Sequence, residues 1–186
     1  MDLFRVFDWD GVSTGRSPGG PLFVARSRQG AGRHDAPARY GAWYCSRRPT
    51  SAIAETLQYL RGHEVSDEDF TRSGGLTKAI VLLRVDRDSD VVDLDDPTML
   101  VSRSLRPSRV ATRRRAMTQR IAASIFDEGA AGLSWWSTLN ADWANVTLFH
   151  ERALRDITIV TAPLALSTRL PDVREAAEAL GIDLVV

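Results

Sequence analysis

Gly41-Ala42-Trp43-Tyr44-Cys45-Ser46-Arg47-Arg48-Pro49-Thr50-Ser51-Ala52-Ile53-Ala54-Glu55 carries the change of period that decides the fold class. Gly41 to Ser46 reads as a buried strand, and Arg47, Arg48 and Pro49 end it, since proline has no N–H to give to a ladder. Thr50 or Ser51 can then cap a helix whose apolar face uses Ala54, Leu57 and Leu60, with Gly62 as its stop. Upstream, Leu3 to Phe7 alternates as a short strand and Pro21 to Ala25 reads as another, with loops over 8–20 and 26–40.

Downstream, Lys78 to Val85 is the clearest strand of the chain, with Val91 to Leu94 as its expected neighbour. Asp67 to Phe70 and Pro97 to Val101 read as short helical turns. Ser108 opens a longer helix with Met117, Ile121, Ile125 and Phe126 as its apolar stripe and Gly129 as its end. Gly132–Trp136, Val146–Phe149 and Ile157–Thr161 read as strands. Asp172 to Leu180 is a helix before a final strand over Ile182–Val186. Many short strands with helices between them predict an α+β fold: a single compact domain over residues 1–186, with small mixed or antiparallel sheets and peripheral helices.

The 186 residues suffice for a real core, and 44% hydrophobic with 26% charged residues is ordinary for a globular chain. The longest apolar run, Ala79 to Leu83, is too short for a bilayer, and Met1 to Arg5 lacks a secretory pattern, so the cytoplasm is the expected compartment. Net charge is zero and gives no reason to expect nucleic acid. Charge is nevertheless segregated. Asp86, Asp88, Asp90, Asp93, Asp95 and Asp96 form an acidic stretch, followed by Arg103, Arg106, Arg109, Arg113, Arg114, Arg115 and Arg120. The basic stretch is either a solvated helix face or a docking surface for an acidic partner.

Several chemistries are excluded by spacing. Gly30-Ala31-Gly32 lacks the third glycine and the following helix of a dinucleotide fingerprint, and Gly15 to Gly20 lacks the Lys-Ser/Thr of a phosphate loop. His34, His63 and His150 lie far apart and Cys45 is the one cysteine, so no metal site is expected. Ser137 lacks the small-residue elbow of a hydrolase nucleophile.

What remains is Arg33 in Gly32-Arg33-His34-Asp35-Ala36-Pro37, Tyr44 in the strand and Glu55 in the helix, all within 23 positions. A guanidinium suits phosphate, an aromatic ring suits a planar base and a carboxylate suits a developing cation. Those residue types match the needs of glycosidic-bond cleavage in NAD, or else they are two surface charges and a core tyrosine. Ser137, at a strand end among Trp135, Trp136 and Trp143, can bond a ribose hydroxyl or a phosphate, or is a turn residue. Arg5, inside an apolar strand, either faces solvent at an edge or reaches a polar pocket.

The order Gly32–Gly41, Ala42–Ser46, Ser51–Glu55, Gly132–Ser137 and Asn145–Phe149 resembles the RES domain family, named for its arginine, glutamate and serine. The resemblance covers roughly residues 3 to 161. It implies Glu55, Arg33 and Ser137 as catalytic residues, and Tyr44 and Arg5 as substrate-binding ones. It also implies a fold like that of ADP-ribosyltransferase toxins and a toxin of a toxin–antitoxin pair that cleaves the nicotinamide–ribose bond of NAD+. Cleavage would proceed by phosphorolysis or hydrolysis, with a small Xre-type helix-turn-helix antitoxin as partner. Transfer of ADP-ribose to a protein, or NAD binding without chemistry, are the alternatives. NAD+ is then substrate, inorganic phosphate a co-substrate where it is the acceptor, and no cofactor or metal is required. The resemblance also allows a homodimer. His34 stands where many members have tryptophan, and Ser134-Trp135-Trp136 replaces the usual Arg-Tyr-Pro.

Overall fold

The computed structural model describes residues 1–86 and 90–185. Asp88 of the acidic stretch and Val186 of the expected last strand therefore lie outside the described residues. The fold is α+β, and its Cα packing separates two compact units. One comprises Met1, Val24–Cys45 and Val85–Thr158; the other comprises Asp2–Phe23, Ser46–Arg84 and Ile159–Val186.

In the first unit, β2 (Ala42–Ser46), β4 (Val91–Asp93), β5 (Gly132–Trp136) and β6 (Ala144–Phe149) are ordered β4-β5-β6-β2. β4 runs parallel to β5 with Val92 opposite Leu133, and β5 runs antiparallel to β6 with Ser134 opposite Val146. Val91–Leu94 thus pairs with β5 rather than with the Lys78–Val85 strand. A three-residue apolar strand has no side-chain signature of its partner, so packing decides it. α2 (Pro97–Ser102), α3 (Pro107–Val110) and α4 (Arg115–Asp127) follow β4, and α5 (His150–Ala153) follows β6. The single helix expected from Ser108 is broken over 111–114. Pro107 starts the short α3, and the stripe resumes at Arg115, where Ile121, Ala122 and Ile125 bury one face of α4 against Leu133, Trp135 and Phe149. Arg33 donates to the carbonyls of Val110 and Thr112 in this break, giving them a partner that the helix would otherwise have supplied.

In the second unit, β1 (Asp2–Trp9) pairs antiparallel with β3 (Thr77–Val85) from Asp2↔Arg84 to Trp9↔Thr77. On its other side Phe4 pairs with Ser46, the last residue of β2. β7 (Ile157–Ile159) ends where this unit resumes, and β8 (Leu164–Ala165) pairs with β3. α1 (Pro49–Leu57) and α6 (Pro171–Leu180) pack on each other, and Ile53, Leu57, Val173 and Ala177 are buried on them. Gly181 ends α6 in the left-handed region at φ +65°, which lets the Ile182 amide reach back to Ala177 at 2.9 Å.

Three local expectations fail here. Thr50 and Ser51 lie inside α1, not at its cap: Pro49 is the first helical residue, and Thr50 donates its hydroxyl to Glu175 at 3.0 Å. Pro21–Ala25 is not a strand, since turn bonds such as Phe23 N–H to Gly20 C=O shape it and Arg5 takes its carbonyls. Over Ile182–Val185 a single parallel bridge, Val65↔Leu184, replaces the expected strand. Each segment has apolar residues enough for a strand but no neighbouring edge along its length. Among the described residues no helix is long and apolar enough to cross a membrane.

Candidate functional site

The loop before β2 is built around Asp35. Its Oδ2 accepts the amides of Gly30 and Gly32, each at 2.7 Å, and its Oδ1 accepts the Tyr44 hydroxyl at 2.7 Å. A Cβ at Gly32 would stand 2.5 Å from the Tyr44 oxygen and 2.6 Å from Asp35 Oδ1, so only glycine permits this closure. Tyr44 in turn accepts the His34 amide at 2.8 Å. Burial first, then the Asp35 charge, pushes the Tyr44 phenol well above its ordinary value. Tyr44 is therefore a neutral group at physiological pH.

Arg33 is 7% exposed. Its guanidinium lies 4.8 Å from the centre of the Trp135 ring, and Nη1 donates to Val110 and Thr112 carbonyls at 3.0 Å each. Its own carbonyl accepts the Thr118 hydroxyl of α4 at 2.5 Å. This arginine holds the α3–α4 break in place whatever else it does.

His34 is 2% exposed, stacked on Tyr44 (19° between planes) and edge-on to Trp135. Its Nδ1 lies 2.8 Å from the Thr147 hydroxyl, which also accepts the Trp135 indole N–H at 3.2 Å. Thr147 is fully buried, and the His34 ring is the one acceptor near it for the hydroxyl proton among the described residues. The hydroxyl therefore donates to Nδ1, and the ring proton sits on Nε2. Burial, then the charges of Arg33 and Arg115, hold the ring well below the usual histidine range, so it stays neutral.

Ser137 follows β5 directly and is 2% exposed; its amide donates to Trp143 C=O at 2.7 Å and its Oγ accepts the Leu139 amide at 3.1 Å. The structure thus joins Arg33 and Tyr44, through His34 and Asp35, in one polar cluster, with Ser137 two residues beyond Trp135, just past the end of β5.

Glu55 and Arg5 belong to the second unit. Glu55 is half-buried on α1, with its Oε2 accepting Gln58 Nε2 at 2.8 Å. Arg5 sits on a strand paired on both sides, so it is not at an edge; its guanidinium reaches the carbonyls of Pro21 and, at 3.0 Å, Phe23.

Asp35 and Thr147 were not singled out from sequence. The aspartate three residues after a glycine is a readable turn signal. A threonine in an apolar strand carries none.

The basic stretch divides. Arg106, Arg109, Arg113, Arg114 and Arg120 are exposed, and Arg103 pairs with Glu128. A cavity of about 690 Å³, lined by Arg103, Leu105, Arg109, Met117 and Arg120 among others, opens on this face. Arg115 differs: its Nη1 is buried with no acceptor among the described residues.

The protein is thus a mixed-sheet α+β fold in which Arg33, His34, Asp35 and Tyr44 are knotted around one short loop. The chain belongs to the RES domain family, whose model matches residues 3–169. It is similar in fold to a chain in the crystal structure of the M. tuberculosis MbcT–MbcA toxin–antitoxin complex, with TM-score 0.59 and 14% identity over 89% of this chain and 84% of that one. No curated protein matches the sequence.

Proposed function

We propose that this chain is the toxin of a toxin–antitoxin pair and cleaves the nicotinamide–ribose bond of NAD+, passing ADP-ribose to phosphate or water. Membership of the RES domain family supports the toxin reading, and the fold shared with a toxin–antitoxin complex is consistent with it. The observation that supports the chemistry is the Arg33–His34–Asp35–Tyr44 cluster, which gathers a guanidinium and an aromatic ring of the kind the reaction needs around one short loop.

Nicotinamide leaves NAD+ as a neutral base, so the barrier lies in the positive charge that develops on ribose. Glu55 is assigned to that charge, and loss of such electrostatic stabilisation costs about 3–4 kcal/mol in comparable sites. Arg33, with Arg5, is assigned to phosphate oxygens. Tyr44 presents its ring to nicotinamide, because its hydroxyl is already committed to Asp35 and the His34 amide. Ser137 anchors a ribose hydroxyl or phosphate. The partner is an Xre-type antitoxin.

The test is incubation of purified protein with NAD+, with and without inorganic phosphate, followed by product identification. Nicotinamide release is expected, with phosphate dependence naming the acceptor. Glu55→Gln should abolish release while keeping the fold. Intact NAD+ after prolonged incubation would overturn the proposal, and label retained on a protein band would replace it with protein ADP-ribosylation.

A further inference from the structure

The end of α2, the start of α3 and one face of α4 wall a groove inside the first unit. On the α4 side its lining is Met117, Arg120, Ile121, Ser124, Ile125 and the C-cap Glu128, residues spaced so that they share one helix face. From Met117 to Glu128 the groove follows the helix for about 16 Å, or three turns. Arg103, the C-cap of α2, pairs with Glu128 and ties the two helix ends together. The lining is apolar between the charges: Ile121 and Ile125 are buried, and Leu105 and Met117 are partly buried against the core. Val101, one residue before the lining Ser102, is a large apolar side chain left 77% exposed.

The charge around the groove has one sign. From Pro97 to Phe126 the chain has seven arginines and no aspartate or glutamate. Arg109 and Arg120 line the groove, while Arg106, Arg113 and Arg114, on the segments that flank α3, are exposed. Among the described residues only Arg103 of the seven has a carboxylate partner. A solvated helix face ordinarily interleaves both signs, because like charges three and four apart repel. Here nothing offsets the repulsion, and an apolar trough lies between the guanidiniums.

The occupant must answer both features. An inorganic anion would meet the arginines and leave the apolar lining wet. A nucleic-acid strand would do the same, and none of the described lining residues is an aromatic on which a base could stack. A helix that carries apolar anchors on one face and carboxylates beside them covers the lining and neutralises the rim together. The receiving wall is preformed. Thr118 and Gln119 bond α4 to the carbonyls of Gly30, Gly32 and Arg33, and Ile121, Ala122 and Ile125 anchor it in the core.

We propose that this groove docks an acidic amphipathic helix of about three turns from a partner protein, with its apolar anchors against Leu105 and Met117 and its carboxylates on Arg109 and Arg120. The inference goes beyond the NAD+ reading and does not rest on it, since none of Arg33, Tyr44, Glu55 and Ser137 lines the groove.

The test is fluorescence anisotropy of a labelled helical peptide of about 15 residues, titrated with the full chain, whose leucines recur at i, i+4 and i+7 between glutamates. One control peptide has every glutamate replaced by lysine, a second has every leucine replaced by serine, and a polyuridine strand of equal charge is the third. Saturable binding of the first peptide is expected, with each control weaker by about 10-fold or more. Arg109→Glu and Arg120→Glu should each weaken binding by about 10-fold. Ser124→Trp, which fills the groove and keeps every charge, should weaken it as much. All three replace exposed side chains, and a wild-type melting curve verifies the fold. Nitrogen-15 amide spectra of the wild type need no variant, and the peptide should shift signals along Ser102–Arg109 and Met117–Glu128. Failure of the leucine–glutamate peptide to saturate would overturn the proposal. So would equal affinity for the serine peptide or the polyuridine, wild-type affinity in Ser124→Trp, or shifts confined to other elements.

Discussion

Two glycine-rich loops, 10–20 in one unit and 30–37 in the other, close by the same device and arrive at different ends. In the first, Asp10 accepts the amides of Val12 and Ser13 at 3.0 and 2.7 Å and the Ser13 hydroxyl at 2.6 Å. In the second, Asp35 accepts two amides at 2.7 Å each and the hydroxyl of Tyr44. Every partner of Asp10 lies within three residues of it, and the carboxylate is exposed. The Asp35 hydroxyl partner comes from a strand nine residues on, and the carboxylate is 6% exposed. Local closure makes a turn; closure onto a strand makes a rigid platform on which Arg33 and His34 have single orientations. The contrast makes the second loop the one that is fixed by the packed chain, although the first has more glycines.

The largest effect expected from breaking this contrast is at Asp35. Asp35→Ala strands two amides and a buried phenol and should cost roughly 3–5 kcal/mol in urea denaturation. Asp10→Ala should leave the midpoint near wild type, because water replaces its partners; equal losses at the two sites would remove the distinction. Arg33→Gln leaves the Val110 and Thr112 carbonyls without their donor and should cost about 2–4 kcal/mol, beyond any loss of NAD+ cleavage. A variant as stable as wild type would show that the α3–α4 break does not need Arg33.

Gly32→Ala pushes a methyl against Tyr44 and Asp35 and should cost about 1–3 kcal/mol, whereas Gly15→Ala, with open space around its Cβ position, should be near neutral. The smallest effect is pH-dependent. The unfolded ring of His34 gains a proton near pH 6.5 while the buried ring does not. The unfolded state then binds more protons, so stability falls as pH drops through about 6.5, by roughly 1–2 kcal/mol toward pH 5. His34→Phe should flatten that part of the stability profile measured by urea titration at successive pH values. A profile identical to wild type would mean that His34 is not held neutral.

The legible parts of the fold were those whose side chains state their own period. Leu3–Phe7 of β1 alternates, Lys78–Val85 of β3 is a long run of strand-forming apolar residues, and the α4 stripe follows helical spacing, so local chemistry and burial agree. Pro21–Ala25 and Ile182–Val185 misled because apolar content alone does not supply a ladder partner. β4 misled because three residues cannot declare a neighbour. In the site, Arg33 and Tyr44 were visible as residue types with a task, and the structure puts them in one cluster. Thr147 and Arg115 were not visible, since a threonine on a strand and one arginine in a run of arginines carry no individual signal.

Sequence by itself determined the α+β class, most helices and strands, and the family, because spacing, turn chemistry and motif order are local properties. Tertiary structure alone decided that Asp35 would knot its loop onto Tyr44. It also decided that the His34 proton would rest on Nε2, and that Arg115 would turn a buried nitrogen inward while its neighbours face water. Those outcomes depend on which groups burial leaves without solvent, and burial is a property of the packed chain, not of any stretch within it.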